Sequence, residues 1–145
     1  MALNDKFIPK SILLIEPTNF KVNNETIEDN KYMLKVNDSS EEALNEQIKI
    51  EHLNYQKVLT ENNVKHIVYK QKDKNAYDSI FACDWIGTIK NEDFPDGILF
   101  IFPMRWPTRR LEKNYEIVDN LRKDYAIVED LSFFEEKNLS LESFG

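Results

Sequence analysis

One cysteine, Cys83, in 145 residues excludes an internal disulfide framework and any cysteine-cluster zinc site. Two histidines, His52 and His66, are too few for an imidazole-rich metal centre, so neither a metal nor a cofactor is expected. With 3 glycines and 5 prolines, the chain is neither collagen-like nor of low complexity. Long hydrophobic runs are missing too. The longest, residues 97–104, falls far short of the roughly 20 residues a membrane span requires. The opening Met-Ala-Leu-Asn-Asp-Lys has no apolar leader segment, so a soluble, cytoplasmic protein is the expectation. Positive charge is in deficit, with 19 Lys and Arg against 26 Asp and Glu and a net charge of −7. That balance argues against nucleic acid or an anionic membrane as partner and favours a cationic one.

What is present suits one compact domain with a buried core, since 41% of residues are hydrophobic and 12% aromatic. Residues 11–16 form a short apolar run closed by Pro17 and read as a strand. A polar loop follows over 18–38, with a helical turn expected around Asn30 to Leu34. Ser39-Ser-Glu-Glu42 has capping-box spacing, and Leu44, Ile48, His52, Tyr55 and Leu59 recur at three or four residues, which predicts a long amphipathic helix. Its end falls at Asn62-Asn63, before a strand over 64–69. Residues 85–90 and 98–102 are two further apolar runs around Pro95 and Asp96-Gly97, the pattern of an antiparallel hairpin. Thr108 is placed to cap a second helix with Leu111, Tyr115, Val118 and Leu121 inward, leading to a strand over 125–128. The tail opens with a short helical turn and ends in alternating Leu139 and Leu141. The fold class is therefore α/β with mixed sheets.

Two clusters hold chemistry. In Asp78-Ser-Ile-Phe-Ala-Cys-Asp-Trp85 two carboxylates six apart flank an apolar stretch and could face one pocket. Ordinary turn chemistry with a buried Ile80 and Phe81 is the commoner meaning of such residues. In Pro103-Met-Arg-Trp-Pro-Thr-Arg-Arg-Leu-Glu112 three arginines stand beside Trp106, and their planar forks suit a carboxylate or phosphate. The alternative is a solvated basic corner, with Arg109 and Arg110 paired to Glu112 and Glu116 along a helix for tenths of a kcal/mol. His52 and His66 read as structural imidazoles, and Cys83 has no adjacent base to lower its pKa.

In order, these segments are similar to a known family. Ile-Leu-Leu-Ile-Glu-Pro-Thr-Asn-Phe (12–20), Asp-Ser-Ile-Phe-Ala-Cys-Asp-Trp (78–85), Phe-Pro-Met (102–104), Arg-Arg-Leu-Glu (109–112), Asp-Leu-Ser-Phe-Phe-Glu (130–135) and Leu-Glu-Ser-Phe-Gly (141–145) resemble the N-terminal half of the amidinotransferase and arginine deiminase, or pentein, superfamily. The nearest likeness is to its citrulline-utilisation and dimethylarginine-hydrolase-like branch. The resemblance implies a partial α/β propeller of ββαβ modules with outer helices, residues 1–145 forming a single incomplete domain. It implies carboxylates that hold a guanidinium, a cysteine that attacks the amidino carbon, and a histidine that works with an acid in proton transfer. Position by position, it assigns Asp78, Ser79, Phe81 and Asp84 to substrate binding, Arg109 or Arg110 to a substrate carboxylate, and Glu142 to catalysis. His52, His66 and Cys83 do not occupy the family's catalytic positions, and Ser143-Phe144-Gly145 replaces a Gly-Thr-Gly-like stretch.

Three readings follow. One is a truncated or split guanidino-modifying enzyme, inactive alone, whose partners are an arginine-like small molecule and a C-terminal-half polypeptide or a second copy. The others are a non-catalytic remnant or interaction protein, and a module that binds an arginine-like ligand without chemistry. Ile50 and Leu53, off the main helical stripe, are a weak sign of a second contact surface or simply scattered exposed apolar residues.

Overall fold

The computed structural model describes residues 10–27 and 40–142. Strand β1, Ile12–Glu16, is apolar apart from its last residue. Helix α1, Glu41–Glu61, carries the chain back to strand β2, His66–Lys70. The two strands pair in parallel from Ile12 against His66 to Glu16 against Lys70. Ser40 caps α1, its hydroxyl accepting from the Ala43 amide at 3.2 Å, and Glu41 and Glu42 complement the positive end of the helix. Past the other end, Asn63 takes a left-handed φ of 56°, a backbone region that asparagine tolerates. Leu59 is the helix's one buried residue, with Leu44, Ile48 and His52 half-buried. Tyr55, expected on that stripe, is exposed, and so are Ile50 and Leu53.

The second sheet begins with strands β3, Ile86–Ile89, and β4, Ile98–Ile101, paired antiparallel. Strand β5, Ile127–Asp130, then adds in parallel on β4. Between β4 and β5 two short helices replace the single one expected: α2, Pro107–Arg110, and α3, Tyr115–Leu121. The break occurs because Asn114 turns its side chain onto the Glu116 amide at 3.1 Å and starts a new helix. Thr108 is not the cap either. Trp106 occupies that position and Pro107 the first helical one, where a missing N–H costs nothing. The order of this half is thus strand, strand, two short helices, strand.

Both sheets feed one hydrophobic cluster, with Ile15 from β1, Trp85, Leu99 and Ile101 around the hairpin, and Ile117 and Val118 from α3. After β5 a 3-10 turn spans Ser132–Lys137. Leu139 and Leu141, expected to alternate as a strand, are exposed and non-repetitive, although the Leu141 amide reaches the Pro103 carbonyl at 2.9 Å. The turn expected around Asn30 to Leu34 lies outside the described residues. Among the described residues, no helix is long and apolar enough to cross a membrane.

Gly97 ends the hairpin loop with φ +78°, and a β-carbon there would meet Tyr125 Cδ1 at 2.7 Å. Gly97→Ala should therefore lower stability by about 1–3 kcal/mol through left-handed strain and a ring clash, measurable as a reduced urea midpoint.

Candidate functional site

The turn around Asp78, the 3-10 turn Ala82–Asp84 and helix α2 bring three carboxylates to one guanidinium. Arg109 Nη2 donates to Asp84 Oδ2 at 2.8 Å and to Glu112 Oε2 at 3.1 Å, while its Nε donates to Glu112 Oε1. Asp78 Oδ2 stands 3.8 Å from the same Nε. Arg109 is 8% exposed, Asp78 5% and Glu112 1%; the Asp84 side chain, at 24%, is the most open member.

The cage is braced from outside. Asn23 Nδ2 donates to Asp78 Oδ2 at 2.8 Å and approaches Thr108 Oγ1 at 3.0 Å. The Thr108 hydroxyl donates to Glu25 Oε2 at 2.6 Å, and Gln71 Nε2 holds the Glu112 carbonyl at 3.3 Å. Buried polar groups persist when each finds a partner in this way.

Burial pushes the Glu112 carboxyl up to about 7 against the pull of Arg109, with Asp78 and Asp84 adding to the rise. Burial alone would weaken the Arg109 charge, but hydrogen bonds and attraction from Glu112 and then Asp84 outweigh it and raise its pKa. The guanidinium stays charged, and Glu112 is the member that titrates near neutrality.

The residues singled out in the sequence divide between two places. Asp78, Asp84 and Arg109 meet, with Ser79 buried beside Asp78. Phe81 is exposed, its amide closing a turn onto the Asp78 carbonyl at 3.0 Å. Arg110 and Glu142 instead secure the segment 103–105: Arg110 donates to the carbonyls of Met104 at 3.0 Å and Arg105 at 3.1 Å, and Glu142 Oε1 accepts from the Arg105 amide at 2.7 Å. Glu135 joins this second group, accepting from the Met104 amide at 2.7 Å and from Lys113.

Sequence reasoning placed Glu112 only in a weak helical pair and missed Asn23 and Glu25. The i,i+3 spacing in Arg-Arg-Leu-Glu marked the Arg109–Glu112 pair, but nothing local announced its burial. Glu116, the other expected helical partner, pairs with Lys72 at 2.6 Å instead.

Cys83 touches the cage only as a donor, its thiol reaching Asp84 Oδ1 at 3.5 Å, and neither histidine pairs with a cage residue. His52 lies on α1, its pKa lowered by burial against the opposing influence of Glu16 and the Ile15 backbone. His66 faces the Val64 carbonyl at 3.2 Å. Burial, then the Asp84 charge, raises the Cys83 pKa and leaves it a poor thiolate. Among the described residues, no group of three or more His, Cys, Asp or Glu is placed to hold a metal ion. A groove of about 240 Å3 between the sheets is lined by residues such as Leu13, Ile67, Cys83 and Tyr125, but by none of the caging carboxylates.

Residues 16–145 match the family model described as N,N dimethylarginine dimethylhydrolase, eukaryotic. No curated protein and no solved structure matches the chain. The matched span contains Asp78, Asp84, Arg109 and Glu112 as well as the residues that brace them. The cage is thus part of a hydrolase-like, guanidino-modifying scaffold, and the chain belongs to the dimethylarginine dimethylhydrolase family of the pentein superfamily.

Proposed function

We propose that these residues form the substrate-holding side of a hydrolase acting on guanidino compounds, with Asp84 and Asp78 gripping the guanidinium. The observation that carries this reading is the convergence of Asp78, Asp84 and Glu112 on a single buried guanidinium, that of Arg109. Three acids against one cation leave negative charge to spare, and carboxylates hold a planar guanidinium through paired, charge-assisted hydrogen bonds. Asp84, the most open of the three, makes the first contact.

Hydrolysis then requires a thiolate to attack the amidino carbon, expel the amine and yield to water. Cys83, with its raised pKa, is unsuited to that step. The nucleophile and the histidine come from polypeptide outside these 145 residues, whether continuous with them or a second chain. Glu142, steadied by the Arg105 amide, is the acid proposed to work beside that histidine. The order of β3 to β5, two strands, two short helices and a strand, supports reading this half as one ββαβ module, its helical leg broken in two, of a partial propeller within a single domain.

Calorimetry with arginine, dimethylarginine and methylguanidine tests the grip. Asp78→Asn and Asp84→Asn should each weaken the tightest of them by about tenfold to a hundredfold, the worth of a hydrogen bond to a charged group. Unchanged affinity in both variants would refute the proposal. Mixing with a C-terminal half of a family member should restore release of amine and citrulline, and this stage separates an incomplete enzyme from a binding module.

A further inference from the structure

We infer that strand β1 is a docking edge for a second copy of this chain, the two β1 strands pairing antiparallel about a two-fold axis at Leu13. This interface is independent of the guanidinium reading. The two halves of the fold are built alike, except that the first lacks a strand. In the second sheet β4 and β5 run parallel, joined through α2 and α3, and β3 lies antiparallel on the other edge of β4. In the first sheet β1 and β2 run parallel, joined through α1, but among the described residues no strand pairs with the other edge of β1. A two-stranded sheet is marginal in water. By the pattern of the second half, the strand that completes it lies beside β1 and runs antiparallel.

The backbone groups that would receive it are identifiable. The Ile12 amide donates to the Lys65 carbonyl at 2.9 Å, so in this parallel ladder Ile12, Leu14 and Glu16 turn their backbone groups toward β2. Ser11, Leu13 and Ile15 therefore present theirs to the open edge. Native sheets blunt such edges with charges and prolines. Neither interrupts this one between Ile12 and Ile15.

A second β1 fits the edge in one register. Pro9 and Pro17 are equidistant from Leu13 in the sequence, and proline has no N–H to donate. Centring the pair on Leu13 sets proline against proline, and Ser11 then exchanges both backbone bonds with Ile15 of the second copy. A slip by one side-chain repeat either way puts a proline opposite Ser11 or Ile15 and forfeits a bond. The same register sets Lys10 opposite Glu16 of the second copy at both ends, and both side chains are exposed. Opposite charges directly across a strand pair stabilise it. The two Leu13 side chains meet on the face that lines the groove between the sheets.

Analytical ultracentrifugation of the 145-residue chain decides the matter. A dimer with a Kd of about 10 μM or tighter is expected. Leu13→Pro removes an N–H that faces only the open edge, whereas Leu13→Ala loses the same leucyl side chain and keeps that N–H. Only the proline variant should be monomeric at about 100 μM. Lys10→Glu should raise the Kd at least about tenfold, and adding Glu16→Lys should restore it. A parent chain that stays monomeric at that concentration overturns the inference, even if a C-terminal half of a family member then fills the edge. So does a dimer that withstands both Leu13→Pro and Lys10→Glu, since it would have formed through another face, such as the exposed Ile50 and Leu53 of α1. Should Leu13→Pro fail to fold by circular dichroism, the charge reversal and its rescue decide alone.

Discussion

Replacing Arg109 with alanine should lower the unfolding free energy by about 3–5 kcal/mol, the usual result of deleting one partner from a buried ionic cluster. Arg109 is the cation shared by Asp78, Asp84 and Glu112, and two of these acids are almost fully buried. Without it they must take up protons, draw in water or move apart. Glu112→Gln should cost far less, about 1 kcal/mol or below: Glu112 already holds its proton part of the time near neutral pH, and glutamine preserves its shape and acceptor oxygen. Urea titrations of both variants at pH 7 measure the contrast, with the fully buried Trp85 as fluorescent reporter. Equal losses would mean that Arg109 contributes packing alone.

Stability should also fall as pH rises through the weakly acidic range. Glu112 ionises in the unfolded chain near its ordinary 4.5 but in the folded one only at about 7. Between those values the folded state holds a proton that the unfolded state has released. The contribution is complete below pH 4.5 and gone above pH 7. It amounts to about 3 kcal/mol for a shift of this size. His52 works in the opposite sense: its lowered pKa supplies stability at higher pH that is lost as pH falls through the range of imidazole titration. Glu112→Gln isolates the first effect. Chemical unfolding of the parent and this variant from pH 4 to 8 should give curves that lie together at low pH, where Glu112 is protonated and glutamine copies it, and separate as pH rises and the parent loses stability that the variant keeps. A constant offset across the range would refute the assignment.

Local signals carried much of the architecture and less of the site. Ser40 with its acidic first turn and the Asn62-Asn63 stop marked α1 within a residue or two, because caps act on neighbouring backbone. The hairpin was legible through Asp96-Gly97, where positive φ is required. The break between α2 and α3 was hidden: Leu111, Tyr115, Val118 and Leu121 keep helical spacing across it, yet Leu111 and Tyr115 are exposed. Parallel pairing of β1 with β2 and of β4 with β5 leaves no local trace, since it depends on which distant edge a strand meets.

At the site, Asp78 and Asp84 were visible as acids six apart, but the residue that unites them stands 25 positions beyond Asp84. Asn23 meets Asp78 across 55 positions, and Glu25 meets Thr108 across 83. Such separations defeat any reading of spacing. Burial was the larger omission: an Arg–Glu pair at i,i+3 is a minor surface feature in water and a dominant one at 1% exposure.

Helix α2 is only four residues long, yet its last two side chains anchor in different networks, Arg109 among the cage acids and Arg110 on the backbone of Met104 and Arg105. A single helical turn therefore works as a rivet: it cannot pivot without loosening both ends. Disturbance of the far group, for instance by Glu135→Ala, should reach the Arg109 fork mechanically and appear in a double-mutant cycle with Asp84→Asn as a coupling beyond additivity.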